Sequence, residues 1–389
     1  LSGVKLKLRD PRIYSIFSVT VIAVMGVASL TPALPIISTA LDLTKAEVAL
    51  LISAFTFPGI LLTPVAGLLA DRWGRKAVLV PSLFIFAMGG SAIFFVREFQ
   101  MMIPLRVLQG IGAASLGALN TTLIGDFYKG RDLPAVMGYN SSVLSLSTAT
   151  YPLIGGLLAG MAWHWPFILP SLGIPAAVYI WIFLPEPEIE RSPDFLSYIR
   201  AASRSILRRE VLSVFALGVL TFVILYGAFL TFLPFLLRQT FDLSPPQIGV
   251  IFSLSSLTTA LLSSRIGRLT EQFGSLKLLK TAFILYAAVT LMMPHIEDLR
   301  LFAVPILLFG SAQALNIPSL MTLLSRLAPS EQRAVFMSLF GMVLRIGQTL
   351  GPLIVGIGFA FGGLDAAFYL TSGVALFGLI ILFNVRFKQ

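Results

Sequence analysis

The sequence predicts an all-α polytopic membrane protein, with twelve transmembrane helices in two pseudo-symmetric six-helix bundles. Three observations carry that prediction. Of 389 residues, 57% are hydrophobic and 12% charged, against roughly 45–50% and about 25% in soluble domains; mean hydropathy is +0.90. The apolar runs reach the length a bilayer core demands, about 20 residues of helix. They are apolar on every face, whereas a barrel strand would show about ten residues of alternating polarity. Finally, the charged string Gly67-Leu-Leu-Ala-Asp71-Arg72-Trp-Gly74-Arg75-Lys76 has an echo 200 residues later in Gly267, Glu271 and Gly274.

Spans are expected over 13–38, 46–70, 77–96, 100–126, 134–160, 165–184, 211–237, 246–266, 277–294, 300–325, 333–358 and 364–385. An even number puts both termini on one side. Of 28 Lys and Arg, 22 fall on that side and four (Lys45, Arg97, Arg238, Arg300) on the other, while Arg106 and Arg345 lie within spans. Basic loops stay in the cytoplasm, so both termini are expected there, in the plasma (inner) membrane. The first run follows Lys5, Lys7, Arg9 and Arg12 and shows no small-residue cleavage site. It reads as an uncleaved first helix.

The net charge of +10 is dispersed between apolar runs, which argues against nucleic acid as a partner. The chain has no cysteine, and only His164 and His295, both near loop ends. Disulfides, thiolate metal sites and cysteine nucleophiles are excluded. No phosphate-binding loop, metal cluster or catalytic set is visible, so neither an enzyme nor a cofactor is expected.

The expected domains are a bundle over 1–184, a cytoplasmic linker over 185–210 and a second bundle over 211–389. In the linker, Phe195, Tyr198, Ile199, Ala202 and Ile206 share a helical face, with Arg200, Arg204, Arg208 and Arg209 elsewhere. That suits an amphipathic helix on the inner leaflet, or a solvated connector. The bundles are related by a repeat at constant offset. Asp42-Leu43 matches Asp242-Leu243, Ser53 matches Ser253, Gly110 matches Gly310, and Pro152-Leu153-Ile154 matches Pro352-Leu353-Ile354. Parallel repeats recur in transporters whose substrate site lies between the halves near the midplane.

With the charged string, Arg106-Val-Leu-Gln109-Gly110 in the fourth span, and Gly138 followed by Tyr151-Pro152-Leu-Ile-Gly155-Gly156 in the fifth, the chain resembles the major facilitator superfamily, in particular its drug:proton antiporters. Tyr151 departs from the family pattern, which has glycine before the proline. The resemblance implies alternating access around a central cavity lined mainly by the first, fourth, seventh and tenth helices. It also implies a gate at the string: Asp71 at the start of the eleventh helix near Ser330, and Arg75 reaching Asp126. Arg72, Lys76, Glu271 and Gly274 complete that set. The plainer alternative is that these charges only fix topology. Arg75-Lys76 become Ser275-Leu276 in the echo, so any latch is asymmetric.

Candidate substrate or coupling residues lie deeper. Arg106, Gly110, Ala113, Gly117 and Asn120 recur at steps of three or four on the fourth span, with Gln109 beside them. A charge in hydrocarbon costs about 2.5 kcal/mol or more, so Arg106 should face a cavity, clamp carbonyls or snorkel outward. Arg345 shares a face with Gly341, Gln348 and Pro352 near the middle of the eleventh span. It is read as a substrate contact or an interhelix bond. Tyr226, Gln313 and Asn316 are further candidates. The hydroxyl-rich fifth and eighth spans suit packing more than binding. Pro32, Pro35, Pro152, Pro234 and Pro352, with Gly155 and Gly156, mark kinks or hinges. All 18 carboxylates map to loops or span ends. Two arginines without a buried acid favour anionic, zwitterionic or neutral amphiphiles. The expected activity is efflux of lipophilic or amphiphilic compounds coupled to protons, by a monomer among membrane lipids. The alternatives are an organic-anion symporter or lipid flippase using Arg106 and Arg345, and a non-transporting sensor.

Overall fold

The computed structural model of the chain describes residues 10–130, 132–187, 206–329 and 332–385. Ten apolar segments follow one another as α1 (Pro11–Ala40), α2 (Lys45–Trp73), α3 (Arg75–Phe95), α4 (Phe99–Phe127), α5 (Asp132–Met161), α6 (Trp165–Phe183), α7 (Arg209–Phe241), α8 (Pro245–Ser263), α9 (Ser275–His295) and α10 (Leu299–Leu327). The last, Val335–Asn384, holds two helices that meet at Gly362 and Gly363. Gly363 has φ 70°, a conformation that costs glycine little. The chain doubles back there, and Gly358 packs on the backbone of Ala366 and Ala367. With α11 over 335–361 and α12 over 364–384, all twelve expected spans are present. The amphipathic helix expected over 195–206 lies outside the described residues, apart from Ile206.

The repeat is written into the backbone. Asp42 and Asp242 adopt φ of 50° and 51°, a left-handed conformation uncommon outside glycine but tolerated by Asp. Thr44 with Glu47, and Ser244 with Gln247, form capping boxes at the starts of α2 and α8. Each box satisfies backbone donors that a helix start leaves open. Helices α4 and α10 each run 29 residues.

Prolines act in two ways. In α1 the helix stops at Ala28 and restarts at Leu34, with a 3-10 turn at Thr31–Ala33 that contains Pro32; Pro35 sits in the restarted first turn. In α7 a π-helical stretch, Ile224–Phe232, hands over to Leu233–Phe241, whose first turn contains Pro234. Pro152 and Pro352 leave their helices continuous.

The two halves meet closely on the face away from the termini. A Cβ on Gly156 of α5 would lie 2.4 Å from the carbonyl oxygen of Pro245, and one on Gly249 of α8 would lie 2.4 Å from that of Pro152. Small residues allow such backbone contact between membrane helices. Across α2 and α11, Ser53 Oγ donates to Thr349 O at 2.9 Å and Thr349 Oγ1 donates to Thr56 Oγ1 at 3.0 Å. At the rim, Lys45 Nζ donates to Gln239 Oε1 and lies over the rings of Phe235 and Phe359.

Toward the termini the halves diverge. On α4, Arg106, Gly110 and Ala113 are buried, while Gly117 and Thr121, which continue the same face, are exposed. On α5, Gly155 and Gly156 are buried, whereas Gly138, Ser141 and Ser142 are exposed. A Cβ on Gly117 or Gly138 would find open space. One helix face is thus packed in its far half and open in its near half.

Because the chain has no cysteine, the seal can be tested with spin labels on cysteines replacing Thr39 and Thr240. Gly156→Val should move the label pair apart, toward a state open on the far side. An unchanged distance distribution would show that the glycine contact does not hold the seal.

Candidate functional site

The charged string organises one end of the first half. Arg75, at the start of α3, is buried; its guanidinium donates to Asp71 one turn earlier, and its Nε donates to Asp126 Oδ2 at 2.9 Å, at the end of α4. The expected Arg75–Asp126 contact is therefore present, and Asp71 is paired within its own half. The start of the eleventh helix at 330–331, where Asp71 is expected to dock, lies outside the described residues. Arg72 is exposed.

Gly74 has φ 102°, and a Cβ there would come within 2.5 Å of Glu186 Oε1. The same oxygen faces the Lys76 backbone N–H at 3.4 Å, and Lys76 Nζ donates to Leu184 O at 3.1 Å. An anion beside a helix N-terminus is favoured by the helix dipole. Glu186 falls in the linker expected over 185–210, and sequence reasoning missed this role. The available signal was its position just past a span that ends on the face of the string. In the echo Ser275 replaces Arg75, and Glu271 has no ion pair among the described residues. Glu271 and Gly274 instead line a pocket of about 420 Å³ with Lys277 and Arg326.

Arg106 is 1% exposed. Its Nε donates to Leu51 O at 3.0 Å, and its Nη1 to Gly26 O at 3.1 Å and to Gln109 Oε1 at 2.7 Å. The guanidinium also lies 4.7 Å from the centroid of the Phe55 ring. This is the carbonyl clamp, joining α1, α2 and α4, and it leaves Arg106 no surface on the opening between the halves. The reason is close approach. A Cβ on Gly110 would lie 2.1 Å from Phe55 O, and one on Gly26 would lie 2.5 Å from the Phe55 ring.

The other polar candidates mostly tie helices within one half. Asn120 Nδ2 donates to Thr20 Oγ1 at 2.6 Å, and Thr20 in turn donates to Asn140, joining α1, α4 and α5. The second half repeats the motif, with Thr221 Oγ1 donating to Asn316 Oδ1 at 3.0 Å between α7 and α10. Tyr286 OH donates to Gln313 Oε1 at 2.8 Å, turning Gln313 toward α9.

Arg345 stands apart. It is half-buried, and its stem crosses α2 of the other half, where a Cβ on Gly59 would meet its Cδ at 3.1 Å. Its Nη1 donates to Gln348 Oε1 at 3.0 Å. Tyr226 of α7 is its electrostatic neighbour, and the Tyr226 ring stacks on Phe222 with centroids 5.8 Å apart. Ion pairs among the described residues involve Arg75 and Arg238, never Arg345. Of the expected substrate or coupling residues, the structure thus brings Arg345, Gln348 and Tyr226 together, at the junction of the two halves.

A duplicated twelve-helix chain, sealed on one face and parted on the other, agrees with the sequence profile of the Major Facilitator Superfamily, which matches residues 16–244 and 224–388. The chain belongs to this superfamily. It is 26% identical over 354 residues to the Bacillibactin exporter of Bacillus subtilis (strain 168), covering 87% of this chain and 88% of that protein. It is 24% identical over 365 residues to Multidrug resistance protein 1 of the same organism, covering 92% of each. Its fold is similar to that of the nucleoside transporter NupG, with a TM-score of 0.81 at 14% identity, covering 98% of this chain and 100% of that one. The protein is a membrane transporter of this superfamily, and its relatives include exporters.

Two outcomes follow from the site geometry. Arg106→Leu should destabilise the fold by about 2 kcal/mol or more, through lost charge-assisted hydrogen bonds, and lower the melting temperature in detergent. Asp71→Asn should leave expression intact and slow transport about tenfold, a barrier change of about 1.4 kcal/mol. Wild-type rates in reconstituted vesicles would show that the string fixes topology alone.

Proposed function

We propose that the protein is a secondary active exporter of lipophilic or amphiphilic small molecules, working by alternating access and coupled to protons. The observation that carries this reading is the α4 face that is packed beside Arg106 and open at Gly117 and Thr121. The charge distribution supports cytoplasmic termini in the plasma (inner) membrane; on that reading the open side faces the cytoplasm and the state is inward-facing. Substrate enters between bundle 1–184 and bundle 211–389, joined by the 185–210 linker. The Asp71–Arg75–Asp126 cluster guards the inner mouth and meets the second half when that mouth closes. Both bundles belong to one chain, so a monomer suffices.

The names of the relatives, an exporter and a multidrug resistance protein, support the outward direction and the amphiphilic substrate. Proton coupling rests on the antiporter-like string and fifth helix. Asp71 and Asp126 at the inner mouth are its titratable candidates. The anion-symporter and flippase readings drew on two free arginines; with Arg106 committed to carbonyls, only Arg345 is left to them. A sensor would have no need of the Arg75 ion-pair cluster at the mouth.

The test is flux in proteoliposomes. An amphiphilic dye should accumulate in vesicles with an acid lumen and cease to do so when the pH gradient is collapsed. Uptake that survives the collapse would refute proton coupling. No uptake beyond that of protein-free vesicles would refute export of amphiphiles.

A further inference from the structure

The two intramembrane arginines have opposite fates. Arg106 is fully buried; its Nε and Nη1 bond Leu51, Gly26 and Gln109, and its Nη2 is sealed inside the first half without a partner. Arg345 keeps open surface and, among the described residues, makes one side-chain hydrogen bond, to Gln348. A guanidinium has five N–H donors in a planar fork. Such a charge at this depth is costly unless it faces a partner or a cavity, and the described residues supply no carboxylate to Arg345. Its stem is held against Gly59 of α2 and its backbone carbonyl takes a bond from Thr349 Oγ1. The head is therefore fixed at the junction while its remaining donors are unspent.

The neighbours define what could occupy that place. Tyr226 and Phe222 stack with their planes 27° apart, and both are half-buried. Phe222 is anchored by its Cβ, which lies against Gly347 of α11. Tyr226 is the electrostatic neighbour of the guanidinium, so its paired rings form an aromatic shelf on the adjoining helix, and rings prefer offset stacking on such a surface. A carboxylate matches the guanidinium fork with two parallel hydrogen bonds. A cation would meet like charge without an acidic counterpart, and a neutral molecule would leave the arginine unneutralised.

We infer that the junction of the halves is a binding site for an aromatic organic acid, whose carboxylate pairs with Arg345 and Gln348 and whose ring stacks on Phe222 and Tyr226. This rests on the exporter reading for the route to the site, and on Arg345 for the chemistry. It narrows the amphiphile to an anion and reduces the two arginines to one.

The probes are 1-naphthoate, its amide, 1-naphthylmethylammonium and decahydro-1-naphthoate, measured for binding to the purified full chain in nanodiscs. They separate charge from ring at nearly constant size. The unaltered protein should bind naphthoate about tenfold more tightly than the amide or the ammonium, and more tightly than the saturated acid. Arg345→Gln should lose about tenfold in naphthoate affinity without loss for the amide, and Arg345→Lys should recover part of it. Phe222→Leu should erase the preference for naphthoate over its saturated counterpart. Preference for the ammonium, or equal binding of all four probes, would overturn the inference on the unaltered chain, whether or not any variant folds. Wild-type naphthoate affinity in Arg345→Gln would overturn it as well. Arg345-dependent binding without flux would keep the site and refute the exporter reading. Dye flux that naphthoate neither joins nor inhibits would refute the site and keep the exporter.

Discussion

Hydrocarbon offers no hydrogen bonds, so every polar group inside a bilayer must be satisfied by the protein or by water in a cavity. That constraint sorts the polar side chains of this chain. The hydroxyls of α5 turn back on their own helix: Ser141 donates to Met137 O at 2.9 Å, Ser142 to Gly138 O at 3.1 Å and Thr150 to Leu146 O at 2.7 Å. Asn120 and Asn316 bond hydroxyls of neighbouring helices. Arg106 consumes two main-chain carbonyls and Gln109. Arg345 is then the intramembrane charge with donors on open surface, since the spare Nη2 of Arg106 is sealed inside its own half. The proposed aromatic acid would answer that exception.

The same constraint explains how the halves can part. An interface built on long side chains or buried ion pairs would be hard to break in lipid. Here the far seal is backbone against backbone, through Gly156, Gly249 and the carbonyls of Pro152 and Pro245. Its hydrogen bonds are few, from Ser53 and Thr349 inside and from the exposed Lys45 at the rim. Van der Waals packing of small residues is lost on opening without stranding a charge. Within the halves, by contrast, the arginine clamp of the first and the asparagine bonds of both are costly to break. Rigid halves and a separable seam follow from where the polar groups were placed.

How far the sequence could be read follows from the same distinction. Span number, the repeat and the Arg75–Asp126 contact depend on local apolar length and on motifs, and those were legible. The turn at Gly362–Gly363 was legible too, as a gap between apolar runs. The fate of Arg106 was not, because it depends on Gly26 and Gly110 bringing three helices together, which no local pattern encodes. Burial of a polar face on α4 likewise looked identical along its length; only the partner helices make one half packed and the other open. Glu186 was read as linker because its target, the N-terminus of α3, is 110 residues away.

Duplication supplies the scaffold, and the positions where the copies diverge carry the chemistry. At an offset of 200, Arg75 faces Ser275, Arg106 faces Ile306 and Arg345 faces Ser145. Each of these three arginines is thus present once. The first half gains a clamp that stiffens α1, α2 and α4, and an ion-pair cluster at its mouth. The second half has no clamp at the equivalent place, contains the π-helical stretch in α7, and holds the unspent arginine. A symmetric molecule could alternate between two faces but would treat its cargo alike from both. The stem of Arg345 on α11 crosses Gly59 of α2, so the proposed ligand would bear on the contact between halves. On that proposal the ligand would act on the seam itself, and differential binding between two access states is what a ligand needs to shift their equilibrium.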